Sequence, residues 1–195
     1  MQLKRFIAEQ DLNAKTRHIP EVVIPASIHM DHFDEKIAII GAGPAGLTAA
    51  FYLAETGYRP TVFEKSEHPG GMLRYGIPSY KLEKDLLDAE IDVAKAMGVE
   101  IKTGIEVGKD VTIQQLREQG YKAFYIAIGC AAGRLPGLEN ENAEGVMTAI
   151  DYLHDANCGN APFAGKVVVV GGGNVAIDAS RVSARNAASS VFQFA

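Results

Sequence analysis

The chain has 195 residues, 47% of them hydrophobic, a net charge of −5 and two cysteines. That length suffices to bury a core as one large or two small domains. The acidic balance gives nucleic acid and anionic membrane no basic footprint, and two widely separated cysteines exclude a cysteine-rich iron–sulfur or zinc module within the chain and fit a reducing cytosol.

Leu3, Phe6, Ile7 and Leu12 place a short amphipathic helix in residues 1–13. Lys4, Arg5, Glu9 and Asp11 interrupt that start, so it does not read as a secretory signal. Pro20, Pro25 and the Val22-Val23-Ile24 patch make residues 18–34 an extended strap. From Ile37 to Ala54 no charged residue occurs, a length near that of a membrane span. The cluster Gly41-Ala42-Gly43-Pro44-Ala45-Gly46 breaks the run near its start, and strand–turn–helix accounts for it without a membrane.

This first β-α-β unit runs from Lys36 to Phe63. Gly57 stops its helix and Arg59–Phe63 is the returning strand. Gly41 permits the tight bend, Gly43 lets backbone approach a pyrophosphate, and Gly46 lets helix and strand pack closely. The helix N-terminus adds unpaired N–H groups and a partial positive charge. Glu64, at the end of the returning strand, suits a ribose with two free hydroxyls and repels a 2′-phosphate.

The next segment is His68-Pro69-Gly70-Gly71-Met72-Leu73-Arg74-Tyr75-Gly76-Ile77-Pro78. Its paired glycines allow close backbone approach, and Arg74 can neutralise a pyrophosphate or stack on a ring. A solvated surface loop is the plainer alternative. Leu82, Leu86, Leu87, Ile91, Val93, Ala94 and Met97 then share a helical face ending at Gly98. Val99–Val107 reads as a strand broken by Gly104, Ile113–Gln119 as a short helix, and Ala123–Ile128 as a buried strand ending at Gly129. A short helix is expected near Met147–His154, and Lys166–Val170 opens a second unit. Its turn is Gly171-Gly172-Gly173-Asn174-Val175-Ala176. Two such turns, each between an apolar strand and a small-residue helix, imply two dinucleotides. Cys130 and Cys158 read as ordinary semi-buried thiols, the five histidines as surface or loop residues, and no metal site is expected.

Taken together, GAGPAG, Glu64, GGMLRYGIP, the strand ending Ala127-Ile128-Gly129 and GGGNVAIDAS closely resemble the small (β) subunit of bacterial glutamate synthase. The resemblance extends to its FAD- and NAD(P)H-binding relatives and to the corresponding domains of dihydropyrimidine dehydrogenase. It covers the whole chain, including the Lys4-Arg5-Phe6-Ile7 lead-in. The resemblance implies an α/β fold: a Rossmann-like FAD-binding domain of the two-dinucleotide-domain type, plus the first part of a second Rossmann-like domain. The expected boundaries are an N-terminal helix and strap in 1–35, the FAD domain in 36–160 and the start of the NAD(P)H domain in 161–195.

By the same resemblance the FAD pyrophosphate lies over Gly41, Ala42, Gly43, Pro44, Ala45 and Gly46 and beside Arg74. The ribose rests on Glu64 and the adenine near Val107. Gly71, Met72, Leu73 and Ile77 line the path to the isoalloxazine, and Lys65, Ala127 and Gly129 complete the FAD set. NADPH or NADH occupies Gly171, Gly173, Asn174, Val175 and Ala176. Hydride passes from the nicotinamide dinucleotide to FAD, and the electrons go on to a partner subunit or iron–sulfur protein in the cytoplasm. Such chemistry needs two rings held together and no side-chain nucleophile, so no catalytic residue is expected.

Relatives commonly carry or adjoin a cysteine-rich region, whereas no cysteine precedes Cys130. The second unit breaks off at Val191–Ala195, and the C-terminal return that completes the family's FAD domain is missing from the sequence. The chain is therefore expected to be a fragment or truncated form of a reductase. One piece of a split flavoenzyme and a non-catalytic dinucleotide-binding module are the alternatives. A disulfide reductase, which needs a close cysteine pair that the sequence lacks though some relatives carry theirs in the nicotinamide domain, or a flavin monooxygenase is a further reading, and the GGMLRYGIP loop argues against both.

Overall fold

A computed structural model describes Leu3, Phe6 and Gln10 together with residues 32–160, 165–186 and 188–194. Leu3, Phe6 and Gln10 are helical and exposed. The rest of the helix expected in 1–13, and the strap up to residue 31, lie outside the described residues. The chain divides into two compact units, Met1–Pro69 with Asp85–Ile128, and Gly70–Lys84 with Gly129–Ala195.

In the first unit, β1 (Lys36–Ile40), β2 (Thr61–Phe63), β3 (Glu100–Lys102) and β4 (Tyr121–Ile126) form a parallel sheet in the order β3-β2-β1-β4. Alternation along β1 sends Ala38 and Ile39 to opposite faces. Ile39 joins Ala50, Ala54, Val62, Val93, Ala94 and Met97, which brings in the helices α1 (Pro44–Glu55) and, after α2 of the second unit (Met72–Tyr75), α3 (Lys84–Ala96). Ala38 packs with Phe63, Leu116 and Tyr121 under α4 (Ile113–Glu118). Helices on both faces of a parallel sheet make the doubly wound fold expected. α4 starts on a reciprocal cap: Thr112 Oγ1 accepts from Gln115 N–H at 3.1 Å, and Thr112 N–H donates to Gln115 Oε1 at 2.8 Å.

Two strands depart from expectation. β3 has three residues rather than the nine of Val99–Val107, because beyond Lys102 the chain turns to follow β2, with Ile105 N–H donating to the Glu64 carbonyl at 2.9 Å. β4 is not buried: it is an edge strand of the described sheet, with Tyr125 46% and Ile126 58% exposed. An apolar run reports a strand but not its rank in the sheet.

The second unit contains α2, α5 (Ala149–Asn157), β5 (Gly165–Val170), α6 (Asn174–Arg185) and β6 (Ala188–Phe194), with β5 and β6 parallel. Val167 and Val169 alternate inward onto Tyr152, Leu153, Ala176, Ala179 and Val182 of α5 and α6. The opposite face of this two-stranded sheet exposes Val168, Val170, Phe192 and Phe194. Residues 70–84 and 129–160 belong to the second of these compact units. Residues 70–84 make long-range contacts with α5 and α6, which no local pattern encodes.

Candidate functional site: two glycine turns

The first turn stands where the strand order reverses, between the C-terminal ends of β1 and β4, the switch point at which open α/β sheets take ligands. Gly41 has φ +105°, and a β-carbon there would lie 2.4 Å from the Ala127 carbonyl oxygen. A β-carbon on Gly46 would lie 1.9 Å from the Gly41 carbonyl oxygen. Both positions therefore require glycine. Gly41 N–H donates to the Phe63 carbonyl at 2.8 Å, and Ala127 N–H donates to the Ile40 carbonyl at 2.8 Å. These bonds tie the turn to the strands on either side.

Helix α1 begins at Pro44 after an extended Gly43, and no side chain caps it. Proline at the first position sacrifices no intrahelical bond. The opening turn leaves its amide dipoles for an anion. Pro44 and Ala45 are exposed, while Ala42 and Gly46 are buried.

Glu64 is 7% exposed. Its Oε2 accepts from Ala42 N–H at 2.7 Å and its Oε1 from Ser66 N–H at 2.8 Å. The carboxylate thus has a structural task that sequence reading missed, bracing the glycine turn against the exit of β2. Two of its roughly four acceptor positions remain for a ligand. Lys65 beside it is exposed, and Val107 is half-buried in a bridge to Val111 against the Ala38–Leu116 cluster.

The second turn repeats this plan. Gly171 has φ +129°, and its N–H donates to the Phe194 carbonyl at 2.6 Å. α6 follows an extended Gly173, again with no side-chain cap, and Asn174 and Val175 are exposed while Ala176 is buried. Instead of a carboxylate, an amide braces this turn. Gln193 Nε2 donates to the Gly171 carbonyl at 2.8 Å, and Ser180 Oγ donates to Gln193 Oε1 at 2.9 Å. No motif points to Gln193, whose role depends on strand register.

The segment Gly71–Ile77 forms the single-turn α2 and its exit. Lys84 Nζ donates to the carbonyls of Leu73 at 2.8 Å and Ile77 at 2.6 Å. Burial, and secondarily the Arg74 guanidinium, hold the Lys84 ammonium below the usual lysine range. Asn157 Nδ2 donates to the Tyr75 carbonyl at 2.9 Å, and the Tyr75 ring stacks on His154 at 4.9 Å.

Of the residues expected around FAD, Gly41–Gly46, Glu64, Lys65, Val107 and Ala127 belong to the first unit, whereas Gly71, Met72, Leu73, Arg74, Ile77 and Gly129 belong to the second. Within the first unit Ala127, Gly41, Gly46, Ala42 and Glu64 meet at one turn. Cys130 and Cys158 are free and exposed, rather than semi-buried. Among the described residues no group of His, Cys, Asp or Glu is arranged to hold a metal ion. Among them, too, no helix is long and apolar enough to cross a membrane.

Comparison with known proteins agrees with this geometry. Residues 35–192 match the family model described as pyridine nucleotide-disulphide oxidoreductase. The NADP(+)-dependent formate dehydrogenase subunit beta of Moorella thermoacetica is 48% identical over 161 residues, covering 80% of this chain and 23% of that protein. The glutamate synthase [NADPH] small chain of Halomonas elongata is 40% identical over 169 residues, covering 81% of this chain and 36% of that protein. Against these two curated relatives the chain therefore spans about a quarter and about a third of the length. Among solved structures, Mycobacterium tuberculosis FprA in complex with NADPH is 25% identical with a TM-score of 0.65, over 75% of this chain and 36% of that one. The doubly wound sheet, the two glycine turns and these similarities together make the chain a member of the pyridine nucleotide-disulphide oxidoreductase family.

Proposed function

We propose that this chain supplies the dinucleotide-binding part of an FAD-dependent NAD(P)H oxidoreductase. Electrons go from a nicotinamide dinucleotide through FAD to a partner subunit or iron–sulfur protein in the cytoplasm. The observation that carries this reading is the pair of glycine turns, each opening onto a helix without a side-chain cap. In the first turn only glycine fits at positions 41 and 46, where β-carbons would strike the Ala127 and Gly41 carbonyl oxygens, and the uncapped helix start suits a pyrophosphate.

When bound, FAD supplies hydride acceptance and onward electron release. The chain's own residues bind and orient. The amides of the first turn that the fold leaves uncommitted, those of Gly43, Ala45 and Gly46, would hold the FAD pyrophosphate, and the remaining acceptor positions of Glu64 would take its ribose hydroxyls. The amides of Gly173, Asn174, Val175 and Ala176 would hold the second dinucleotide. No side chain has to carry a proton.

NADPH is the donor this reading favours. The named NADP and NADPH dependence of the two relatives supports the same choice.

The test is the visible spectrum of the gently purified chain, before and after adding FAD and then anaerobic NADPH or NADH. A flavin band near ~450 nm that bleaches, faster with NADPH, is expected. A chain that takes up no flavin even on reconstitution would overturn the reading, and flavin uptake without bleaching would favour a binding module.

A further inference from the structure

We propose that Asp178 is a positioning residue that fastens residues 70–84 to α6, so that the Gly71–Ile77 segment and the second glycine turn behave as one mechanical piece. The proposal rests on the reading that Gly71–Ile77 line FAD and Gly171–Ala176 hold the nicotinamide dinucleotide.

Asp178 lies at one edge of the buried side of α6, a turn before Val182, and is 8% exposed. A carboxylate buried there is costly unless paired. Both of its partners come from the 70–84 segment. Lys81 Nζ forms an ion pair with Asp178 Oδ1, and Tyr80 Oη donates to the same oxygen at 3.4 Å. Two helical turns further along, Arg185 places its guanidinium carbon 4.0 Å from the centroid of the Tyr80 ring. Tyr80 is thus held at its hydroxyl by one α6 residue and across its face by another.

The segment itself is stiff between these anchors. Lys81 and Leu82 N–H both donate to the carbonyl of the buried Pro78, and Lys84 ties the carbonyls of Leu73 and Ile77. At its other end Asn157 and His154 of α5 hold Tyr75. Asp178 stands one helical turn after Asn174, where the second glycine turn opens. Any adjustment of that first turn on nucleotide binding reaches residues 78–82 through one buried carboxylate, and Lys84 passes it to Leu73 and Ile77.

The decisive experiment is hydrogen–deuterium exchange on the whole chain without nucleotide, comparing wild type, D178A, D178N and the double variant Y80F/K81M. Exchange in residues 72–84 should rise about tenfold in D178A and in the double variant, and less in D178N, with β5 unchanged. Unchanged exchange of 72–84 in both D178A and the double variant would overturn the proposal. Should D178A loosen β5 as well, the double variant decides, because it alters only partly exposed side chains. In chain reconstituted with FAD, D178N should slow flavin reduction at saturating NADPH about tenfold while the half-saturating concentration changes little. A loss confined to that concentration would overturn the positioning role. A wild-type chain that takes up no flavin would sink the functional reading instead, and the exchange result would still decide the latch.

Discussion

The two glycine turns share a plan and differ in tightness. In each, the first glycine donates to the last carbonyl of the returning strand, at 2.8 Å for Gly41 and 2.6 Å for Gly171. In each, the helix closes its first backbone bond onto a glycine N-cap, Leu47 N–H to Gly43 O at 2.9 Å and Ile177 N–H to Gly173 O at 3.0 Å. The first turn is roofed by Ala127 and braced by a buried carboxylate. The second is braced by an exposed amide, and a β-carbon built on Gly171 meets only the Ala176 methyl, at 3.4 Å. The lesson is that the same motif tolerates different residues at its sixth position. Ala176 fits where Gly46 cannot be replaced, because helix and loop backbones approach more closely in the first unit.

Substitutions can break that comparison. The largest effect is expected from Gly46→Ala, whose methyl would meet the Gly41 carbonyl oxygen, a backbone atom with nowhere to go. Its cost should reach or exceed about 3 kcal/mol, whereas Ala176→Gly should cost only about 1 kcal/mol through helix propensity. Chemical denaturation of the two variants checks the order, and equal losses would deny that the turns differ. Next in size, Glu64→Ala leaves the buried Ala42 amide without its acceptor and should cost about 1–3 kcal/mol, against less than about 1 kcal/mol for the exposed Gln193→Ala. If the two variants melt together, Glu64 is no brace.

The smallest effect sharpens the picture of the second unit. Folding lowers the pKa of Lys84, so the folded chain binds fewer protons there than the unfolded chain. The contribution of Lys84 to stability therefore grows as pH rises from its lowered value towards that of a free lysine. The stability difference between wild type and Lys84→Met should shift modestly in favour of wild type as pH rises towards the free-lysine value of about 10.4. A flat difference would contradict the lowered value.

The strand–turn–helix units were legible because two signals coincide in them. An apolar β run meets glycines at fixed offsets, and the helix that follows is built of small residues. The helix over Lys84–Ala96 was legible from its apolar spacing, and the short α4 was expected too, though its Thr112–Gln115 cap emerged only with the fold. What depends on partners distant in sequence was not legible. Ala123–Ile128 looks buried by composition, but its place at the sheet edge is decided by strand order. No local signal in residues 70–84 points to their bonds with Asn157 and Asp178. Glu64 was found for its chemistry, while its grip on Ala42 and Ser66 needed the fold.

The roof that Ala127 lays over Gly41 also bears on the order of events in folding. The oxygen that crowds Gly41 belongs to the exit of β4, the last along the chain of the four described strands, far from the turn it covers. Closing that contact carries the loop-closure entropy of everything between, so the turn reaches its final shape late. A dinucleotide selecting that shape acts on the finished sheet and hardly at all on earlier collapsed forms. It should therefore slow unfolding far more than it hastens folding, serving as a lock on the native state and not as a template for reaching it.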